Sequence, residues 1–319
     1  MKKSPVFAIL TALSATVPLG CGPTSSNDAP FIDDAAKFAP SPTVVEKTPE
    51  ALPVVEKTPE TPLATLDELL KQGATLDKSG KSLDLTGVES FSGFDAADAE
   101  RWNAVKVVRG KGKLSPEALR GFAKLPNLTE FLWSDAVLPV ETDADAAFAE
   151  FAKAPKLKKL RLTGLRTDAD KFPTAALVAL AQAPQLADLD VSGSPATAAD
   201  LAAVDWKNGF AKLTKLNLYQ TQVGDAGVDA LLPLTDRLTS LNLDDAQIGP
   251  DSATKIAQFT ELTFLHVGRS TLDDASIAEF AKLGKLEKIH VTRSKATEAG
   301  ADALRAALPN CEVVSQPEN

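Results

Sequence analysis

LTKLNL at Leu213–Leu218, LTSLNL at Leu238–Leu243 and LTFLHV at Leu262–Val267 share one spacing: apolar, two free, apolar, one free, apolar. The pattern extends outward as LEKIHV from Leu286, LADLDV from Leu186, LKKLRL from Leu157, LTEFLW from Leu128 and a degenerate WNAVKV from Trp102. Successive starts advance by 26, 29, 29, 27, 25, 24 and 24 residues. Self-similarity at such a period marks a stack of one repeated supersecondary unit. The alternating apolar residues predict a short strand with one face inward, because strand side chains alternate with period two. A turn follows, and then a segment of helical spacing rich in small apolar residues, as in DAGVDALLPL from Asp225 or DDASIAEFAKL from Asp273.

No such unit buries its apolar face alone, so each strand must stack beside the next in one parallel sheet. The expected architecture is an α/β solenoid of horseshoe type, with the sheet on the concave side and helices on the convex side. Strands centred near residues 83, 105, 131, 160, 189, 216, 241, 265, 289 and 311 make about ten. At ~4.8 Å per strand the sheet would run roughly 45 Å. Leu241 should be buried mid-array and Asn242 beside it exposed. Helix starts are legible too. Ser115-Pro116-Glu117 offers a cap and a first-turn proline, and Thr197 with Asp200 forms a capping-box pattern.

The units resemble the leucine-rich repeats of the ribonuclease-inhibitor-like and F-box-like class, especially bacterial versions with a TxVTDAGL turn. TQVGDAGVDAL from Thr221 matches that turn, and the resemblance covers roughly residues 64 to 314. Many such families carry an asparagine ladder at the ninth repeat position. Here that position holds Ala136, Leu165, Ser194, Thr221, Ala246, Ser270 and Ser294, which argues against that subtype. Ser and Thr there are expected to bond neighbouring turns, and Leu165 puts the register of its own turn in question. At the ends, TLDELLKQ from Thr65 reads as an amphipathic capping helix and Ser79-Gly80 as a hairpin turn into Leu83–Leu85. LPNCEVV from Leu308 repeats the spacing, with Cys311 as a buried small hydrophobe.

Three segments divide the chain. Residues 1–20 read as a lipoprotein signal peptide: Lys2 and Lys3, then an apolar run from Pro5 to Leu19 that is shorter than the ~20 residues of a membrane-spanning helix. Leu19-Gly20-Cys21 resembles a bacterial lipoprotein signal, which implies lipid attachment at Cys21; Pro18 departs from the leucine usual there. Residues 21–62 read as a disordered, Pro-rich linker containing the tandem VVEKTPEALP and VVEKTPETPL, extended because prolines recur every few residues. Residues 63–319 form the repeat domain with its caps.

Composition narrows the function. With 34 basic against 43 acidic side chains and a net charge of -9, the chain is a poor match for nucleic acid or anionic lipid. Two cysteines, Cys21 and Cys311, make no disulfide framework and no cysteine metal site. No nucleophile elbow, HExxH or phosphate-binding loop occurs, and GKGKLS from Gly110 lacks the spacing of one. The expectation is therefore a non-enzymatic protein without cofactor. It would be lipid-anchored in a bacterial cell envelope, on the periplasmic or cell-surface side, and would bind a protein or peptide on the outward face of its sheet.

The residues that create that face can be read off the repeats. Within the strands the outward side chains are Leu132, Arg161, Asp190, Asn217, Asn242, His266 and His290. The repeats from Leu213 to Leu286 concentrate the chemistry. Tyr219, Asp244, Asp245, His266, Arg269, His290 and Arg293 give an aromatic anchor flanked by charges of both signs, as interfaces often have. Two other readings stand beside this one. One is a structural spacer of the envelope with no specific ligand. The other is a metal-dependent module in which His266 and His290, ~5 Å apart on adjacent strands, join Asp244.

Overall fold

The computed structural model describes residues 64–89, 91, 99–140 and 144–315, all within one compact unit spanning residues 58–319. The signal peptide, Cys21 and the linker lie outside the described residues. The strands are β1 (Thr75–Leu76), β2 (Ser82–Asp84), β3 (Val107–Lys113), β4 (Glu130–Leu138), β5 (Lys159–Leu162), β6 (Arg166–Thr167), β7 (Asp188–Asp190), β8 (Lys215–Asn217), β9 (Ser240–Asn242), β10 (Phe264–His266), β11 (Lys288–His290) and β12 (Glu312–Val314). Between them lie α1 (Leu66–Lys71), α2 (Ala99–Trp102), α3 (Pro116–Ala123), α4 (Ala144–Phe151), α5 (Thr174–Leu180), α6 (Ala198–Ala202), α7 (Gly224–Leu231), α8 (Ala253–Ile256), α9 (Asp274–Ala278) and α10 (Glu298–Ala307).

The strands form one twelve-stranded sheet in chain order, with β6 off the main path beside β4. Ten of the twelve make the parallel path; β1 pairs antiparallel with β2, and β6 is the extra piece. The expected count of about ten thus covers the repeat strands and omits these two additions. The α/β solenoid itself is as read from the spacing.

One row of side chains runs through the whole stack. Leu83, Val108, Phe131, Leu160, Leu189, Leu216, Leu241, Leu265, Ile289 and Val313 are register partners from strand to strand, and all are buried. This row is the fourth repeat position when counting starts at Leu128, Leu157, Leu186, Leu213, Leu238, Leu262 and Leu286. It corrects both ends of the sequence reading. The first repeat starts at Val105, not Trp102, because Val108 stands in the row and Trp102 does not. The N–H of Val105 donates to the Trp102 carbonyl just as that of Leu286 donates to Leu283, so Trp102 fills the slot three residues before the repeat. The same bond runs from Cys311 to Leu308. Cys311 therefore opens the last unit, one residue short, and Leu308 precedes it. Cys311 is buried as expected, and burial raises its thiol pKa.

The misreading at the first repeat has a packing cause. Its sixth position, apolar in the other repeats, is Gly110. A methyl group there would lie 2.1 Å from the Trp133 ring, so Trp133 fills the room that Gly110 leaves. Its indole N–H donates to the Gly112 carbonyl at 3.0 Å. Around it Phe131 stacks at 5.4 Å, and Phe122 and Phe151 meet Phe131 at 5.1 and 5.0 Å. The early repeats thus gather their aromatic rings into one cluster around β4.

The caps form for the reasons their sequences suggest. Thr65 Oγ1 accepts from the Glu68 N–H, and the Glu68 carboxylate accepts from the Thr65 N–H at 2.7 Å, closing a capping box on α1. In the β1–β2 hairpin the Asp77 carboxylate accepts from the Ser79 hydroxyl and from the N–H groups of Lys81 and Ser82. These bonds favour the charged form and lower its pKa to about 2. Ser115 caps α3 and Thr197 with Asp200 boxes α6, both as read from the chain.

Side-chain ladders bind the units together, but not where the ninth position pointed. Thr221, Ser270 and Ser294 there donate back to their own carbonyls at Leu218, Val267 and Val291, at 2.7–2.8 Å. Leu165 is fully buried, which settles its register. The bonds between repeats come from the second position instead. Thr129, Thr214, Thr239 and Thr263 each donate a hydroxyl to a carbonyl of the preceding unit, at 3.0–3.3 Å.

Candidate binding face on the C-terminal repeats

The eighth repeat position, just past the strand in all but the long β3 and β4, adopts a left-handed backbone. Its φ is 81° at Gly112, 48° at Asp135, 65° at Gly164, 69° at Gly193, 52° at Gln220, 55° at Asp245, 45° at Arg269 and 56° at Arg293. At five of these eight the cause is a ladder between repeats. The N–H at this position donates to the seventh-position carbonyl of the next unit: Gly164 to Ser192, Gly193 to Tyr219, Gln220 to Asp244, Asp245 to Gly268 and Arg269 to Thr292, at 2.7–3.1 Å. Reversing the chain to aim that N–H requires positive φ, which for a residue with a Cβ costs about 1–2 kcal/mol. The early repeats mostly avoid the cost with glycine. The four late ones accept it and carry Gln, Asp, Arg and Arg.

Neighbouring positions on this face divide into turn-makers and cluster members. At the fifth position Asp190, Asn217 and Asn242 accept from the N–H two residues on, at 3.0 Å each. They hold the chain for its left-handed turn and are not free outward contacts; Asp190 is only 4% exposed and also accepts from Arg161 at 2.9 Å. In the last two full repeats this position is His266 and His290.

Asp244 is the centre of what remains. At 4% exposure it is a buried carboxylate, not the open charge expected from its outward position. Arg269 donates to it with both Nε, at 3.1 Å, and Nη2, a pairing that raises the Arg269 pKa further. His266 Nε2 stands 3.6 Å from the same carboxylate. The Arg269 guanidinium also lies over the Tyr219 ring, 5.0 Å from its centre. His266 and His290 are 4.6 Å apart, centroid to centroid, as their shared column predicts. Phe264 reaches His290 at 5.8 Å. Sequence reasoning passed over Phe264; its signal was an aromatic third position where neighbouring repeats have Lys215, Ser240 and Lys288.

Gly268 makes the arrangement possible. A Cβ there would lie 2.8 Å from Asp244 Oδ1 and 2.9 Å from Thr292 Oγ1, so the column is open between those two side chains. Asp244, His266, Arg269, His290, Thr292 and Arg293 line an open pocket of about 200 Å³. Of the seven candidate residues, five line it. Tyr219 adjoins through Arg269, and Asp245 shares the left-handed row without reaching the pocket. The metal alternative loses its third ligand, because the Asp244 carboxylate is engaged by Arg269. Among the described residues no three metal-ligating side chains group together.

Comparison with known proteins bears on the repeats. The family described as Leucine Rich repeat matches residues 211–232 and 238–257, two of the units that present this face. No curated protein matches the sequence. Among solved structures, internalin C2 of Listeria monocytogenes is 18% identical, with 69% of this chain and 84% of that one covered at a TM-score of 0.49. A leucine-rich-repeat protein of Leptospira interrogans is 18% identical, covering 73% of this chain and 60% of its own at 0.45. The internalin inlF of Listeria monocytogenes is 13% identical, with coverage of 74% and 69% at 0.42. The in-register sheet and the matched repeats make the chain an α/β leucine-rich-repeat solenoid.

Proposed function

We propose that this leucine-rich-repeat solenoid is a non-enzymatic recognition scaffold whose outward sheet face, in the four C-terminal repeats, binds a protein or peptide. One observation carries the reading. Gln220, Asp245, Arg269 and Arg293 hold the left-handed position that three of the four early repeats fill with Gly112, Gly164 and Gly193, Asp135 being the fourth. Fold stability alone favours glycine there, so strain kept by long or charged side chains supports a role for the side chains themselves. Tyr219, stacked under Arg269, adds a rigid aromatic area of the kind that anchors interfaces. Affinity capture from native envelope with the full chain as bait tests the reading. A partner held by the unaltered chain and lost with Tyr219→Ala supports it; capture indifferent to every substitution on this face favours a spacer role.

The scaffold is further proposed to be anchored in a bacterial envelope by a lipid on Cys21, with the proline-rich segment as a stalk between lipid and solenoid. The apolar run ending in Leu19-Gly20-Cys21 and the tandem VVEKTPE segments support this. Cys21→Ser should move the protein from detergent-extracted membranes to the soluble fraction. Unchanged membrane association would sink the lipid reading.

A further inference from the structure

We propose that the pocket bounded by His266, His290, Arg269 and Arg293 takes a carboxylate of a peptide partner, either a side-chain carboxylate or the C-terminal one, with Arg293 as its counter-ion. The inference rests on the recognition reading above and narrows it to a ligand group.

The charges around the pocket select the sign of the guest. Asp244 is the one acid among the lining residues, and Arg269 already neutralises it from two nitrogens. What remains facing the opening is cationic or hydrogen-bonding: the Arg293 guanidinium, the Thr292 hydroxyl and the two imidazoles. Arg293 is exposed, and among the described residues its side chain has no ion pair or hydrogen bond. A cationic guest would meet two guanidinium groups, and an apolar guest would strip water from them without replacement. A carboxylate matches the planar fork of an arginine with two parallel bonds.

The backbone adds a second argument. Arg269 and Arg293 leave adjacent turns from the same left-handed position, φ 45° and 56°, so their stems start side by side. Arg269 is folded back onto Asp244 and Tyr219, which leaves Arg293 as the member of the pair open to a ligand. Gly268 leaves the gap between Asp244 and Thr292, where a Cβ would lie within 2.9 Å of both. The chain as a whole is acidic, at -9, so an open arginine is set against a negative background that favours capture of an acidic ligand at a local cation over the rest of the surface. Such binding weakens as salt rises.

His266 and His290 are the only histidines in the sequence, so their two ring signals report on the pocket directly by NMR of the full chain. N-acetylaspartate N-methylamide presents a side-chain carboxylate, and N-acetylglycine presents a terminal one. Titration with at least one of them should shift both imidazole signals saturably, and the tighter probe identifies the source. Arg293→Gln should weaken that probe by at least about tenfold, with its thermal unfolding checked beside the parent. Lys295→Gln, an exposed cation outside the lining, should leave the affinity unchanged.

The proposal is overturned by any of four results: no shift with either carboxylate, an equal shift with N-acetylasparagine N-methylamide, equal loss in the Arg293 and Lys295 variants, or shifts with inorganic phosphate alone. Its failure is separable from that of the recognition reading. Silent imidazoles together with a captured partner that Tyr219→Ala releases would refute the pocket assignment and keep the face. A saturable, Arg293-dependent shift with no partner captured would do the reverse.

Discussion

Arg269 covers one face of the Tyr219 ring, its guanidinium carbon 5.0 Å from the ring centre, although a whole repeat lies between the two. It spans that distance by lying along Asp244 of the intervening unit, which accepts its Nε–H at 3.1 Å. The three side chains therefore act together. The arginine neutralises a buried carboxylate and holds the half-buried Tyr219 ring in place.

Separate readouts follow for the two ends of that stack. Tyr219→Ala removes contact area but leaves the Arg269–Asp244 pair intact. It should weaken partner binding by about 1–2 kcal/mol with little change in thermal stability. Arg269→Ala leaves a buried carboxylate without its partner and should lower stability by about 1–3 kcal/mol as well as binding. Calorimetry and thermal unfolding of the two variants check this. Lys255, paired with Asp229, and Glu279, paired with Lys282, lie on helical segments between strands; substituting either should leave binding unchanged.

At Arg293 stability and function should part company. Its φ of 56° suits glycine, so Arg293→Gly should raise unfolding free energy by up to about 1 kcal/mol, the relieved strain being partly offset by a more flexible unfolded chain. The same substitution should abolish the carboxylate-dependent imidazole shifts. Urea denaturation gives the first quantity; a clear loss of stability would show that the side chain serves the fold.

Within β9, adjacent residues point to opposite faces. Leu241 is fully buried in the central row, and Leu241→Ala should cost about 2–5 kcal/mol. Asn242 is more than the inert exposed neighbour that strand alternation implies, because its Oδ1 accepts from the Asp244 N–H at 3.0 Å. Asn242→Ala should cost about 0.5–1.5 kcal/mol. Equal losses in denaturant unfolding would refute the register.

Gly110 and Trp133 form a matched pair across adjacent strands, with 2.1 Å between the indole ring and the place a methyl on Gly110 would occupy. Gly110→Ala should destabilise by about 1–3 kcal/mol, as overpacking does. In a Trp133→Leu background the same change should cost clearly less, a non-additivity of the kind expected for residues in contact. Additive losses in the double-mutant cycle would show that the two sites do not share one space.

The chain alone determines the stack. Inward Leu and Val at fixed spacing, with periods of 24 to 29 residues, leave one way to bury every unit, and the structure keeps that spacing in register from Leu128 to Val291. The caps at Ser115 and Thr197 were equally legible, since each bonds to a residue three positions away, whereas Thr65, read as part of its helix, is the N-cap. The ends were harder. Where Gly110 empties an apolar slot, a local pattern shifts by three residues, and only the Trp133 ring on the next strand explains the gap.

Tertiary structure decided the face. Period two correctly put Tyr219, Asp244, His266 and His290 on one side of the sheet, but it does not say which of them stays open. That depends on Arg269, whose sequence separation from Asp244 and Tyr219 spans one and two repeats, and on Gly268, whose missing side chain gives the carboxylate room. The left-handed row was hidden for a related reason. At Gln220, Asp245 and Arg269 its φ is imposed by a hydrogen bond to the next repeat, and there, as at Arg293, no glycine marks it. Burial is a property of each repeat and is written in its own residues. The charge left open in the pocket is a property of three repeats in register, and it exists only once they stack.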